Sequence, residues 1–327
     1  MPEPSEVTRK LLTLSKLRGV GASSLLKLAQ AEGFVKWDYD EIASRFPSIG
    51  RALTQENLNQ AQALAQRDLA ACKADGSEII SVLDPQYPPL LRQTPDRPAL
   101  LYVKGNLKPT HHRAVAVVGT REPTEHGKVI TQRITTYLGQ QGWSIVSGLA
   151  LGVDGIAHQA ALEVGGHTVA ILAHGLDTIT PKSHTVLAKS ILEAGGAWVS
   201  EYAYGIPPFA PQYVKRDRIQ AGLARGVVLI QTGLEGGSLH ASRAALRYGR
   251  VLAVPAPTKT DIAAGEEKVQ GVLKILQGSR QEVARYLQCN PADLDRILVI
   301  RSREQYPQLE DALNAIGEGV NPQKALF

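Results

Sequence analysis

The chain has 327 residues, 43% apolar and only 5% aromatic, so its core must be built mainly from Leu, Ala, Val and Ile. Its net charge of +5 fits an anionic partner without requiring one. Two distant cysteines, Cys72 and Cys289, exclude metal-type spacing and suggest a reducing cytoplasm; no stretch approaches the roughly 20 apolar residues of a membrane span, and the N-terminus lacks a signal-peptide run.

Residues 1–75 read as a helical domain. The segment "KLRGVGASSLLKLAQAEG" (16–33) places a Gly-Val-Gly turn before an amphipathic run, as in a helix-hairpin-helix, and "RFPSIGRALTQENL" (45–58) carries a similar turn. Such hairpins aim backbone N–H groups at phosphates, though the same turns also serve as plain helix corners. Residues 76–110 read as an extended connector. Six prolines in 84–110 stop helices and remove ladder donors, and one short strand is expected at "ALLYVKG".

From 111 to 287 the pattern changes. Apolar runs recur at 114–118, 144–146, 168–173, 197–199, 227–231 and 251–254, with helical stretches between most of them. Continuous apolar strands alternating with helices predict an α/β domain whose parallel sheet is covered on both faces. Residues 288–327 read as a short helical tail, ending in the Gly/Pro-marked and mobile "GEGVNPQKALF".

The candidate site residues follow these strands. After the first comes Gly119-Thr120-Arg121, a close-approach glycine, a hydroxyl and a bidentate cation. The spacing Gly119…Gly127 is not the dinucleotide fingerprint. After the second come Ser147, Gly148 and Gly152; after the third, Gly175, Pro181 and Lys182. Lys215, Arg216 and Arg218 cluster behind Tyr213. Gly236-Gly237-Ser238 opens a helix, with Arg243, Arg247 and Arg250 following at i, i+4 and i+7. Glycine turns, helix N-termini and arginines on the carboxyl edge of a parallel sheet describe a phosphate or polyanion site. Asp154 and His158 lie one turn apart. Without a nucleophile or metal nearby they read as structural, Asp154 capping its helix, and no catalytic residue, metal ligand or cofactor is expected.

"VVGTREPTEHGK", "SGLALGVDGIAHQAAL", "LAHGLDTITPKSH", "YVKRDRIQAGLARG" and "EGGSLHASRAALRYGRVLAVPAP" resemble, in order, the blocks of the DprA/Smf family, and the resemblance runs over roughly 10–287. It implies a Rossmann-like, doubly wound, mostly parallel sheet behind a helix-hairpin-helix or SAM-like N-terminal domain. It implies a non-enzyme that binds and protects single-stranded DNA, loads a RecA-type recombinase in transformation or recombination, and forms a homodimer. On this resemblance Arg121, Lys182, Lys215, Arg216 and Arg218 contact phosphates. Backbone N–H groups of Gly119, Gly148 and 236–238 assist, and Tyr213 stacks on a base.

The chain departs from the family pattern in several places. Asp217 stands where Asn is usual, Ser183-His184 where Asn is usual, Thr180-Pro181 for Tyr-Pro and Pro255-Ala256 for Pro-Gly. The usual C-terminal winged helix has no room after 287. A second reading is a nucleotide-binding or nucleotide-hydrolysing protein like the cytokinin-activating phosphoribohydrolases, with Glu201 or Glu235 as acid; a third is an adaptor that has lost DNA. Gly236-Gly237-Ser238-Leu239 lacks the full phosphoribohydrolase loop.

Overall fold

The computed structural model describes residues 3–318. Side-chain oxygens start three of the N-terminal helices. Ser5 caps Glu6–Ser15, Asp38 forms a capping box with Glu41 before Tyr39–Arg45, and Thr54 caps Gln55–Asp75. The long helix stops at Gly76, whose φ of 70° lets the chain turn directly into a strand.

Nine strands form one sheet: β1 (Ser77–Ser81), β2 (Leu100–Gly105), β3 (Ala114–Val118), β4 (Ser144–Ser147), β5 (Thr168–Leu172), β6 (Ala197–Ser200), β7 (Gly226–Leu229), β8 (Val251–Pro255) and β9 (Ile297–Ile300). Their order is β1-β2-β6-β5-β4-β3-β7-β8-β9. From β6 to β9 every pairing is parallel, while β1 and β2 close one edge antiparallel. The six apolar runs of 114–254 are β3 to β8. The connector 76–110 supplies β1 ahead of its prolines as well as β2, and the tail supplies β9; β1 and β9 were not anticipated.

Alternation along β3 shows why both faces are apolar. Val115 and Val117 pack with Ile134, Leu138, Val153 and Leu309 on one side. Ala114, Ala116 and Val118 pack with Ile219, Leu223 and Leu246 on the other, in a core that continues into Leu11, Leu12 and Phe34 of the N-terminal helices. The mixed, doubly wound sheet is Rossmann-like.

Polar ties also join the helical region to the sheet. Ser5 and Thr8 donate to Asp84 at 2.6 and 2.5 Å, Tyr102 donates to Asp68 at 2.7 Å, and Tyr204 donates to Asp75 at 2.7 Å. The final stretch expected to be mobile lies, from residue 319, outside the described residues.

Candidate nucleic-acid interface

Strand order reverses between β3 and β7: one series runs β3-β4-β5-β6 and the other β7-β8-β9. Crossovers leave this point in opposite directions, so the loops after β3 and β7 diverge and leave a crevice at the strands' carboxyl ends. A cleft of about 1110 Å³ occupies it. Its walls are the loop after β3, the turn after β7 and the helix Ala210–Leu223.

Arg121 is exposed at the mouth. Among the described residues it makes no ion pair or hydrogen bond, and its guanidinium lies 5.7 Å from the Tyr213 ring centroid. Thr120 is fixed by its N–H, which donates to the Gln231 carbonyl at 2.9 Å, while its hydroxyl oxygen accepts from Glu122 N–H at 3.2 Å. Gly119 is required by packing: a β-carbon there would lie 2.5 Å from Val153 Cγ2. Gly236 N–H donates to Gly233 O at 3.2 Å. Among the described residues no acceptor takes the N–H of Gly237 or Ser238, which precede the helix Leu239–Arg247. Arg121, Tyr213 and this turn therefore share one cleft.

Other expected phosphate contacts are engaged elsewhere. Ser147 is fully buried and donates to Val117 O at 2.7 Å. Gly148 N–H donates to Asp154 Oδ2 at 3.0 Å, so it is not presented to a ligand. Asp154 thus ties the loop before its helix rather than capping the helix, whose N-cap is Gly152. Arg218 holds Glu201 in a two-pronged pair, at 2.6 and 3.2 Å, and also donates to Asp96 O at 3.0 Å. Arg243 donates to Tyr286 O, Arg247 pairs with Asp96, and Arg250 is buried against Leu90 O. The row read as a cationic face is thus a set of ties. Lys215 is exposed on the outer side of its helix. Lys182 lies on the turn Lys182–His184, whose His184 borders a second groove that Arg121 shares.

Arg216 forms the floor rather than the surface. It is 4% exposed, lies 6.0 Å below the Tyr213 centroid, donates to Gly148 O at 3.2 Å and stands 3.4 Å from Asp217. Burial raises the carboxyl of Asp154 above its ordinary range, opposed by Arg216 and by bonds from the Gly148 loop. Burial lifts Asp217 to about 7, opposed by Arg216 and reinforced by Asp154. His158 is fully buried, bonded to Thr168 at 2.7 Å, and pushed down to about 3 by burial, so it stays neutral. The sequence reading missed two cleft features. One is Gln220, which donates to Asp217 at 3.0 Å. The other is the Lys268–Glu122 pair at the rim, 3.0 Å long. Helical spacing from Asp217 could have flagged Gln220; nothing local flags Lys268.

The family described as DNA recombination-mediator protein A matches residues 78–279. Protein Smf of Escherichia coli is 45% identical over 172 residues, which are 52% of this chain and 46% of that protein. The chain thus matches about half the length of that relative. The X-ray structure of DNA processing protein A from Streptococcus pneumoniae superposes with a TM-score of 0.65 at 28% identity, covering 83% of this chain and 97% of that one. A structure of DNA processing protein A from Helicobacter pylori, solved for insight into its single-stranded DNA binding mode, gives 0.59 at 26% identity over 72% and 97%.

Proposed function

The chain belongs to the DNA recombination-mediator protein A (DprA/Smf) family, and from that premise we propose that its switch-point cleft binds single-stranded DNA. One observation carries the reading: an uncommitted arginine, Arg121, an aromatic ring, Tyr213, and the unbonded N–H groups of Gly237 and Ser238 converge on one cleft. Cations and backbone donors suit phosphates, and a ring suits an unpaired base. In this reading Arg121, Thr120 and the 236–238 turn touch the strand. Lys215 and Lys182 extend the track outside the cleft, and Arg216 supplies charge from beneath. Ser147, Gly148 and Arg218 are bonded within the fold, to Val117, Asp154 and Glu201, and do not touch the strand.

Recombinase loading, strand protection and homodimer formation are further parts of the proposal. They rest on family membership, as does a cytoplasmic setting; no described helix is long and apolar enough to cross a membrane. The proposed role is binding without catalysis. The test is anisotropy titration of a labelled oligo-dT strand against the same strand in duplex. Tighter binding of the single strand supports the reading, and equal or absent binding removes it.

A further inference from the structure

The floor of the cleft carries more acid than a polyanion site needs. Asp217 and Asp154 both face the single buried cation Arg216, and both border the cleft. Asp217 projects from the helix Ala210–Leu223, and its neighbours on every packed element can be named. Its own helix contributes Arg216 and Gln220. The loop after β3 contributes Arg121, and the β4 loop and helix contribute Asp154. His174, after β5, faces Arg216. Helix Leu239–Arg247 lines the cleft with uncharged Ala241, its leading turn adds Ser238 and the carboxylate Glu235, and helix Pro89–Arg92 meets the Asp217 helix through Leu91 at Gly222.

With both carboxyls charged, the floor of Arg216, Asp154 and Asp217 sums to one negative charge, opposed at the mouth by Arg121. A phosphate entering this cleft meets Arg216 already engaged. Loss of the Asp217 charge brings the floor to neutral, leaving Glu235, Glu267 and the Lys268-paired Glu122 as the acids of the cleft walls.

Building on the single-strand reading above, we propose that Asp217 is a positioning residue of the anion site, acting through Arg216, and that strand binding takes up a proton on its carboxyl. The geometry provides for both protonation states. Gln220 is buried, and its Nε2 donates to Asp217 Oδ1 at 3.0 Å, while its Oε1 has no hydrogen-bond partner. A half-turn of that amide offers Oε1 to a carboxyl O–H, so the carboxyl keeps one bond to Gln220 either way. The group titrates near 7, where a change of charge is accessible in solution. Phosphates nearby disfavour the carboxylate, so the bound state holds the proton more tightly and affinity rises as pH falls.

The experiment measures oligo-dT dissociation constants at pH 8 and pH 6 for the wild type and Asp217→Asn, at fixed salt. A one-unit rise in the Asp217 pKa on binding tightens the wild type about fivefold over that range, beyond any change in the variant. Asp217→Asn at pH 8 should bind like wild type at pH 6. A second measurement needs no variant: calorimetry of wild type at pH 7 in two buffers of different ionisation enthalpy should report a fractional proton taken up per strand. Identical pH profiles for the two proteins, or no proton uptake, overturn the inference while leaving strand binding intact. No binding at either pH removes the single-strand reading itself, and this inference with it.

Discussion

The guanidinium of Arg216 fills the space a side chain on residue 148 would need: a β-carbon on Gly148 would lie 1.6 Å from Arg216 Nη1. The glycine thus gives room to a buried cation that in turn bonds its carbonyl. Gly148→Ala must eject that guanidinium from between Asp154 and Asp217. Overpacking alone costs about 1–3 kcal/mol, and stranding the two carboxyls adds to it. We expect a melting temperature several degrees lower and weaker strand binding. A variant that melts like wild type would show that Arg216 does not occupy this space.

Arg121 and Arg218 should separate affinity from stability. Arg121→Ala removes an exposed, unpaired cation, so strand affinity should fall about tenfold, a charge-assisted bond being worth about 1.5–3 kcal/mol, with the melting temperature unchanged. Arg218→Ala strands Glu201 in a largely buried pair, at a cost of about 3 kcal/mol to folding. Its melting temperature should fall clearly. Paired thermal melts and anisotropy titrations check both.

Tyr213→Ala should weaken oligo-dT binding by about 1–3 kcal/mol, the range for one stacked base. Tyr213→Phe keeps the ring and should bind like wild type. Loss of binding in the Phe variant would assign the role to the hydroxyl instead of the ring.

Asp217 also sets a pH dependence of folding. Its carboxyl titrates near 7 in the folded chain, above its ordinary value of 3.8. The folded state therefore holds the proton more tightly. That contribution is complete below about pH 4 and is lost as pH rises through 7. Asp217→Asn cannot ionise, so it should melt above wild type at pH 8 and show a smaller gap at pH 5. A gap that widens on acidification would reverse the assignment.

Much of this was legible in the sequence, and what was not has physical reasons. Strands β3 to β8 are buried on both faces, so each reads as an unbroken apolar run. Strand β9 is four residues between Arg296 and Arg301. It becomes a strand by pairing Leu252–Pro255 of β8, a contact with no local signature. The glycine turns located the cleft because switch-point loops need close approach. The arginines misled because spacing reports a face and not a partner. Arg250 lies past Gly249, off the helix Leu239–Arg247, and Arg218 meets Glu201 across 17 residues. Asp217 was noticed as an oddity, but its burial against Arg216 and Gln220 emerges only when the helix is packed.

The central claim is that a single strand lies in the switch-point cleft with its phosphates on Arg121. The most direct measurement is the oligo-dT dissociation constant over a range of salt concentrations, for wild type and Arg121→Ala side by side. Each phosphate contact on a single strand contributes about 0.7 to the log–log slope. Three to four contacts give the wild type a slope of roughly −2 to −3, and Arg121→Ala should be shallower by about 0.7 as well as weaker. A wild-type affinity independent of salt, or an Arg121→Ala line that overlays it, would contradict the account.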